Sequence, residues 1–573
     1  MTPNTHTATE PIPAPASALD QDADKAVKKI VCSSHEQYQR HVLDWLEHYR
    51  DDELFLKSLD RHFEEAAMIT ELNLDKAIPI LESIYCPTGQ GAPRDPVCML
   101  RALLLMTLHK ERGITNWVAR TKEKPLLAIL AGFDPDDAPG IGTYYDFINR
   151  IIDGPWRKRK EGEVRRSKYN AGGHERFLKK KKGDDEKEQR RKDQSDSQKL
   201  VDKLLPAADQ PRPRDYQKLL EDLLVVIGII PSIESGLLTD LQNLVVTGDG
   251  SILETWSSPR GKSDCDCRKE DADDCTHPKI YQTPTAQWCY DAVHNVYKFG
   301  DRYYHLVITQ NGHDFPILTL MPGGNISDYT LSLESFDRFL KSNEEHDLDM
   351  NISVFCGDGH HDSHAHYQYF EAKEVKTVIP ISKNSKGTYP HLSDDGPTRL
   401  DENGVPLCPG GLPMRHHQYN KARKTHVYTC PAKRMTRENG RCVYKFHESE
   451  CPLSQNCSPE SNIGPLFYVR TPDNQRYFPP IPRDSKKYKE IMNLRTGSER
   501  CNSVNDSYNL EAASSNADRG LVRLYFANIV HHAVIRRMEN RKSGEESPMV
   551  RSLRRYSLRG SSSAKSPSSS NSP

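Results

Sequence analysis

NLVVTGDGSI at 243–252 and NISVFCGDGHHDS at 351–363 decide the fold. In each, apolar residues lead into Gly-Asp-Gly: Leu244, Val245 and Val246 before Asp249, and Ile352, Val354 and Phe355 before Asp358. Short apolar runs bounded by turn residues read as buried strands. The flanking glycines, Gly248 and Gly250, then Gly357 and Gly359, allow a sharp turn and close approach of a ligand. Both aspartates are therefore expected at the C-terminal ends of adjacent strands, where open α/β sheets bind ligands. Paired carboxylates repel unless a divalent cation neutralises them, and hard oxygen ligands suit Mg²⁺ or Mn²⁺. Either motif taken alone reads equally as a plain turn.

Outward from these motifs, VYKFGDRYYHLVIT at 296–309 predicts a hairpin, FPILTLMPGG at 315–324 a strand, and ISDYTLSLESFDRFL at 326–340 a helix capped by Ser327. A helix, SHAHYQYFEAK, and a strand, KTVIPIS at 376–382, follow Asp358. This order gives an α/β (α+β) class with a mixed sheet flanked by helices. An all-helical domain is expected at 36–152, from the periodicity of Val42, Trp45 and Leu46, of Phe63, Ala66, Ala67 and Ile69, and from CMLRALLLMTLHK at 98–110. TYYDFINRI from Thr143 reads as its last helix, with Thr143 as the cap. Residues 153–215 read as a basic, charged linker. Within 157–182, twelve Lys and Arg face three Glu, a balance of +9. That block is either a solvated linker or an arm whose Lys179, Lys180, Lys181 and Lys182 meet phosphates. The sheet domain occupies 216–399, with strand-like runs from Leu219, and resumes as helices at 481–540. A Cys-rich insertion at 400–480 divides it, and polar tails at 1–35 and 541–573 read as disordered.

Over 573 residues the net charge is −1, which excludes a uniformly basic or acidic protein. The longest apolar run, Leu223 to Ile230, falls far short of the ~20 residues that cross a bilayer. The N-terminus lacks the basic and apolar regions of a secretion signal, so a cytoplasmic, reducing location is expected. There, clustered cysteines read as metal ligands more readily than as disulfides. Cys265, Cys267, Cys275 and His277 are one possible Zn²⁺ set, or thiols in an acidic loop. Cys408, Cys430, Cys442, Cys451 and Cys457 lie in a Pro/Gly-rich segment with little aliphatic content, where structural Zn²⁺ would replace a core. His360, His361, His364 and His366 read as a surface helix or as part of a phosphohydrolase metal centre.

Downstream, RTGSERCN places Glu499 four residues after Arg495, on one helical face. With VVTGDGS, QWCYDAVHNVYKFGDRYYHLV at 287–307, HDFPILTLMPGGNISD at 313–328 and VFCGDGHHDS, it forms an ordered set. The set resembles the DDE transposases of bacterial insertion sequences, in the group whose helical N-terminal domain precedes a ribonuclease-H-like catalytic domain. The resemblance covers most of the chain from about 55 to 535. It implies Asp249, Asp358 and Glu499 as catalytic residues and as ligands of Mg²⁺ or Mn²⁺. Arg495, Arg500 and Lys179 to Lys182 would contact DNA. It also implies DNA at transposon ends and target as substrate, a homodimer, and a nucleoid-associated location. The chemistry implied is two-metal phosphoryl transfer with ions about 3.5–4 Å apart. Asp249 would bridge both ions, with Asp358 and Glu499 each holding one. The family signature has Tyr and Lys where this chain has Met492 and Asp506, with Tyr488 one turn upstream. A catalytically inactive or domesticated DNA-binding descendant is the alternative.

Overall fold

The computed structural model describes residues 30–85, 93–154, 168–169, 195–263, 279–291, 294–324, 326–382, 399–401, 404–454, 457, 459–471, 475–510 and 516–563. Lys179 to Lys182, Cys265, Cys267, Cys275 and His277 lie outside these residues.

Among the described residues, eight α-helices come first: α1 (His35–His48), α2 (Glu53–Arg61), α3 (Phe63–Glu71), α4 (Ile78–Glu82), α5 (Pro96–Leu108), α6 (Ile114–Glu123), α7 (Pro125–Ala131) and α8 (Ile141–Asp153). Ser34 and Gln37 form a capping box at α1, which buries Tyr38, Val42 and Leu46. Asp95 caps α5, and Pro96 fills the first-turn position where a missing N–H costs nothing. The last helix starts at Ile141 behind Gly140, two residues before the Thr143 expected from sequence.

The sheet contains β1 (Leu244–Glu254), β2 (Gln287–Asp291), β3 (Val296–Gln310), β4 (His313–Leu320), β5 (Ile352–Cys356) and β6 (Lys376–Val378). Its order is β4-β3-β1-β5-β6, with β2 pairing the first part of β3. The β4-β3 and β3-β1 pairs are antiparallel, whereas β1-β5 and β5-β6 are parallel. The hairpin expected at 296–309 is instead a single long strand. Gly300-Asp301 makes no turn; a Cβ on Gly300 would collide with the backbone of Leu253 and Glu254, so the glycine permits close strand approach.

Between the helical region and β1, the expected linker ends in α9 (Asp196–Leu204), which buries Val201 and Leu204. The apolar run at 223–230, expected among strands, is helical: α10 (Tyr216–Leu224), a π-turn at Val225–Ile229, and α11 (Ile230–Glu234). Arg212, fully buried, binds Glu221 at 2.7 Å, Asp222 at 2.7 Å and Glu345 at 2.9 Å. Glu345 closes α12 (Asp328–Glu345), which with α13 (His364–Ala372) covers one face of the sheet through Phe336, Phe355 and Phe370.

The insertion folds as β7 (Arg415–Asn420), β8 (Thr425–Thr429), β9 (Lys433–Glu438), β10 (Arg441–Phe446) and β11 (Phe467–Arg470). It has a small core in which Leu400, Val405, Met414 and Val469 pack with Tyr428, Tyr477 and Phe478, so the expectation that it could not bury one is overturned. Among the described residues, four helices come last: α14 (Lys486–Leu494), α15 (Thr496–Ser507), α16 (Ala517–Ser543) and α17 (Pro548–Ser563). The tail expected to be disordered from 541 therefore contains a helix. Met549, Val550 and Leu553 anchor it, and Tyr556 binds Glu47 at 2.6 Å. One hydrophobic core runs from the N-terminal helices through α16 to the sheet, so the helical region packs as part of the whole. Among the described residues, no helix is long and apolar enough to cross a membrane.

Candidate functional site

Asp249 lies in the middle of β1, opposite His305, and not at a strand end as expected. The Gly-Asp-Gly motif imitates a turn, but neighbours occupy the space of its missing side chains. A Cβ at position 248 would strike the Tyr304 ring, and one at 250 the Asp328 carboxylate. Asp358 does follow its strand, two residues after Cys356. The parallel register pairs Val246 with Phe355 and Thr247 with Cys356, so continuing it two residues sets Asp249 alongside Asp358.

Glu499 arrives on α15, which packs against β1, β3 and β4. Arg495, just before that helix, binds Glu499 at 2.7 Å, the expected i,i+4 pair. One turn on, Asn502 Nδ2 donates to Asp249 at 3.1 Å. Another turn on, Asn505 donates to His305 Nε2 at 2.6 Å, while His305 Nδ1 meets Thr319 Oγ1 at 2.6 Å. Burial holds His305 neutral, with its pKa down at about 3. Thus α15 is fixed by amide contacts to the two strands beneath it, and those contacts bring Glu499 toward Asp249.

The electrostatics record the convergence. The Asp249 carboxyl is pushed up to about 6, first by burial and then by the charges of Asp328, Asp358 and Glu499, with Arg495 opposing. Asp358 goes the other way. Burial disfavours its charge, yet hydrogen bonds from His361 and His360 and their charges hold it well below the ordinary value. His361 Nδ1 lies 2.7 Å from Asp358 Oδ1 and His360 Nδ1 2.7 Å from Oδ2. The buried Tyr304 hydroxyl, kept protonated by burial, shares a hydrogen bond with His361 Nε2 at 2.9 Å and so holds the ring with Nδ1 toward Asp358.

The histidines are therefore not one exposed surface helix. His361 and His366 are buried, His366 between Ser332 and Ser363 at 2.9 and 2.8 Å, and His360 is exposed. Arg500, expected on DNA, forks onto Asp314 of β4 at 2.6 and 2.7 Å. Tyr488 is buried in the core with Val354 and Ile491, and Met492 packs its sulfur on Cys356 at 3.7 Å. Cys442 is exposed on β10, and the Cys457 thiol is raised first by burial and then by the neighbouring Cys451, Cys430 and Cys408. Among the described residues, no three His, Cys, Asp or Glu side chains stand where they could hold one metal ion.

Sequence reasoning missed Asp328, Asn502 and Tyr304 as members of this site. Only Gly250 signalled Asp328: a glycine inside a strand marks close approach of another group. Neither protein-family models nor curated proteins give a match to this chain.

Proposed function

We propose that the chain is a DNA transposase, cutting and joining DNA strands at Asp249, Asp358 and Glu499 on a ribonuclease-H-like domain. The observation that carries this reading is the convergence of carboxylates from distant parts of the sequence: Asn502, one turn beyond Glu499 on α15, donates to Asp249 at 3.1 Å, and Asp358 follows the strand paired in parallel beside that of Asp249. The mixed sheet with helices on both faces is the framework such a domain requires.

The donor chemistry suits Mg²⁺ or Mn²⁺, hard oxygens beside a buried Asn502 Oδ1 that lacks a hydrogen-bond partner, and the three carboxylates, which do not stand within reach of one ion here, would have to close on it. When bound, divalent metal would neutralise the cluster and polarise the scissile phosphodiester. The chain's own groups position the ligands. Asn502 orients Asp249, Tyr304 and His361 orient Asp358, and Arg495 steadies Glu499. Water would break a P–O bond and free a 3′-hydroxyl, which then attacks a second phosphodiester and displaces its 3′-oxygen. DNA, a homodimeric assembly and a location on the nucleoid belong to this same reading.

Met492 and Asp506 at the signature Tyr and Lys positions favour a second reading, an inactive descendant that binds DNA. Supercoiled plasmid carrying the element's ends separates the two. Mg²⁺-dependent nicking that disappears in Asp249→Ala supports the transposase, and tight binding without nicking supports the descendant. Cleavage of small phosphate esters that survives Glu499→Ala would point instead to a phosphohydrolase centred on His360 and His361.

A further inference from the structure

The insertion carries a charge that the carboxylate site does not use. Between Gly404 and Ser454 nine Lys and Arg face three Glu, a balance of +6 in a chain whose total is −1. Five of those cations lie on β9 and β10, which pair with each other as a two-stranded sheet of their own. Asn439 and Gly440 join the strands, with φ of 50° and 78°, a turn whose twist matches that of the ribbon. The base of the ribbon is anchored, because Lys433 is buried and donates to the Ser461 carbonyl at 2.5 Å. Beyond it, every residue from Arg434 to Lys445 is exposed except the half-buried Thr436 and Tyr444. At about 3.3 Å per residue, the two strands make a finger roughly 20 Å long.

A lone strand pair is marginal in water, since it buries little surface. The register puts Arg434, Thr436, Glu438, Arg441, Val443 and Lys445 on one face. Glu450 neutralises Arg434 at 2.7 Å, and Glu438 neutralises Lys445. Arg441 on this face and Arg437 on the other are exposed, and neither pairs with a carboxylate among the described residues. Two free guanidiniums beside one turn call for anions from outside the chain. A protein partner would need a charge-depleted, apolar centre, and on this face Val443 alone is apolar. Duplex DNA fits both charge and shape: phosphates match guanidiniums, and a major groove about 12 Å wide admits a two-stranded ribbon. The insertion is also tied to the carboxylate site, because Arg476 forks onto Asp362, just beyond Asp358, at 3.0 and 2.8 Å.

We propose that the β9–β10 ribbon is a finger that enters the major groove of duplex DNA and holds its phosphates with Arg437 and Arg441. The choice of DNA as partner rests on the reading of the chain as a DNA-cutting enzyme. DNA gripped there would be steadied by the insertion that Arg476 fastens to the Asp358 segment.

The test uses the full chain, a fluorescently labelled DNA duplex of mixed sequence, EDTA and a series of KCl concentrations. The double variant Arg437→Gln/Arg441→Gln should bind the duplex about tenfold or more weakly. The slope of log affinity against log salt should become shallower by about two. Its Tm should match the wild type, because neither side chain has an ion-pair partner to lose. The same change of charge on the turn between β7 and β8, Lys421→Gln/Arg423→Gln, should weaken binding far less. The proposal is overturned if the ribbon variant binds as the wild type does, if the turn variant is weakened as much, or if the wild type binds no duplex. A ribbon variant that keeps its duplex affinity but loses self-association in sedimentation overturns it in favour of a second copy of the chain. Mg²⁺-dependent nicking of supercoiled plasmid is scored alongside. Nicking by the wild type with unaltered binding in the ribbon variant removes the finger and leaves the enzyme. Ribbon-dependent binding without nicking removes the enzyme and leaves the finger.

Discussion

Asp249 is in mid-strand under a helix, and Asp358 lies just beyond a strand end beside two imidazoles, and their carboxyls are pushed in opposite directions. The same three residues, Gly-Asp-Gly, therefore perform two kinds of work. Around Asp249 the glycines make room for Tyr304 and Asp328, which raises local negative charge and burial. Around Asp358 the chain turns back, and His360 and His361 come to satisfy both oxygens. One aspartate is held strained by its neighbours, the other satisfied. A motif alone does not set a carboxylate's state; the groups packed into its empty spaces do.

The sharpest break in this comparison is a paired substitution without metal. Asp358→Asn forfeits two imidazole contacts and should cost about 1–3 kcal/mol in denaturant unfolding. Asp249→Asn relieves a crowded acid and should gain roughly 1–3 kcal/mol at pH 7 in EDTA. The signs follow from the shifts. Asp249 rises from 3.8 to about 6, so its penalty is absent at low pH, grows as pH rises between those values, and is full above them. Asp358 is depressed, so its contribution is present above 3.8 and lost as pH falls below it. Equal effects of the two substitutions would remove the contrast.

A smaller contrast concerns the glycines. Gly248→Ala would drive a methyl into Tyr304 and should cost about 1–3 kcal/mol by overpacking. Gly359→Ala, whose nearest neighbour would stand 3.7 Å away, should be close to neutral. Matched chemical denaturation curves decide between them. Smaller still, Tyr304→Phe keeps the ring and removes one hydrogen bond to His361, at about 0.5–1.5 kcal/mol. The carboxyl of Asp358, followed by carbon NMR, should stay depressed in that variant and return toward 3.8 only in His361→Ala.

The strands around both aspartates were legible because apolar runs ending in glycine leave few alternatives. What the sequence hid were the partners. Gly300-Asp301 and Gly248-Asp249-Gly250 have turn chemistry, yet each glycine answers a neighbour far along the chain: Leu253 and Glu254, Tyr304, Asp328. The helix at 548–563 was hidden for a related reason, since Met549, Val550 and Leu553 become a core only when α2 and α3 supply the other side. Glu499 was placed by resemblance. Its approach to Asp249 depends on Asn502 and Asn505, which no periodicity distinguishes from exposed helix residues.

Whether Glu499 joins the two aspartates in one cation site is best measured by Mn²⁺ binding to the full chain, followed by electron paramagnetic resonance. Glu499→Gln should weaken Mn²⁺ as Asp249→Asn and Asp358→Asn do, by at least about tenfold. Wild-type Mn²⁺ affinity in Glu499→Gln, alongside loss in the two aspartate variants, would separate Glu499 from the site and contradict the account.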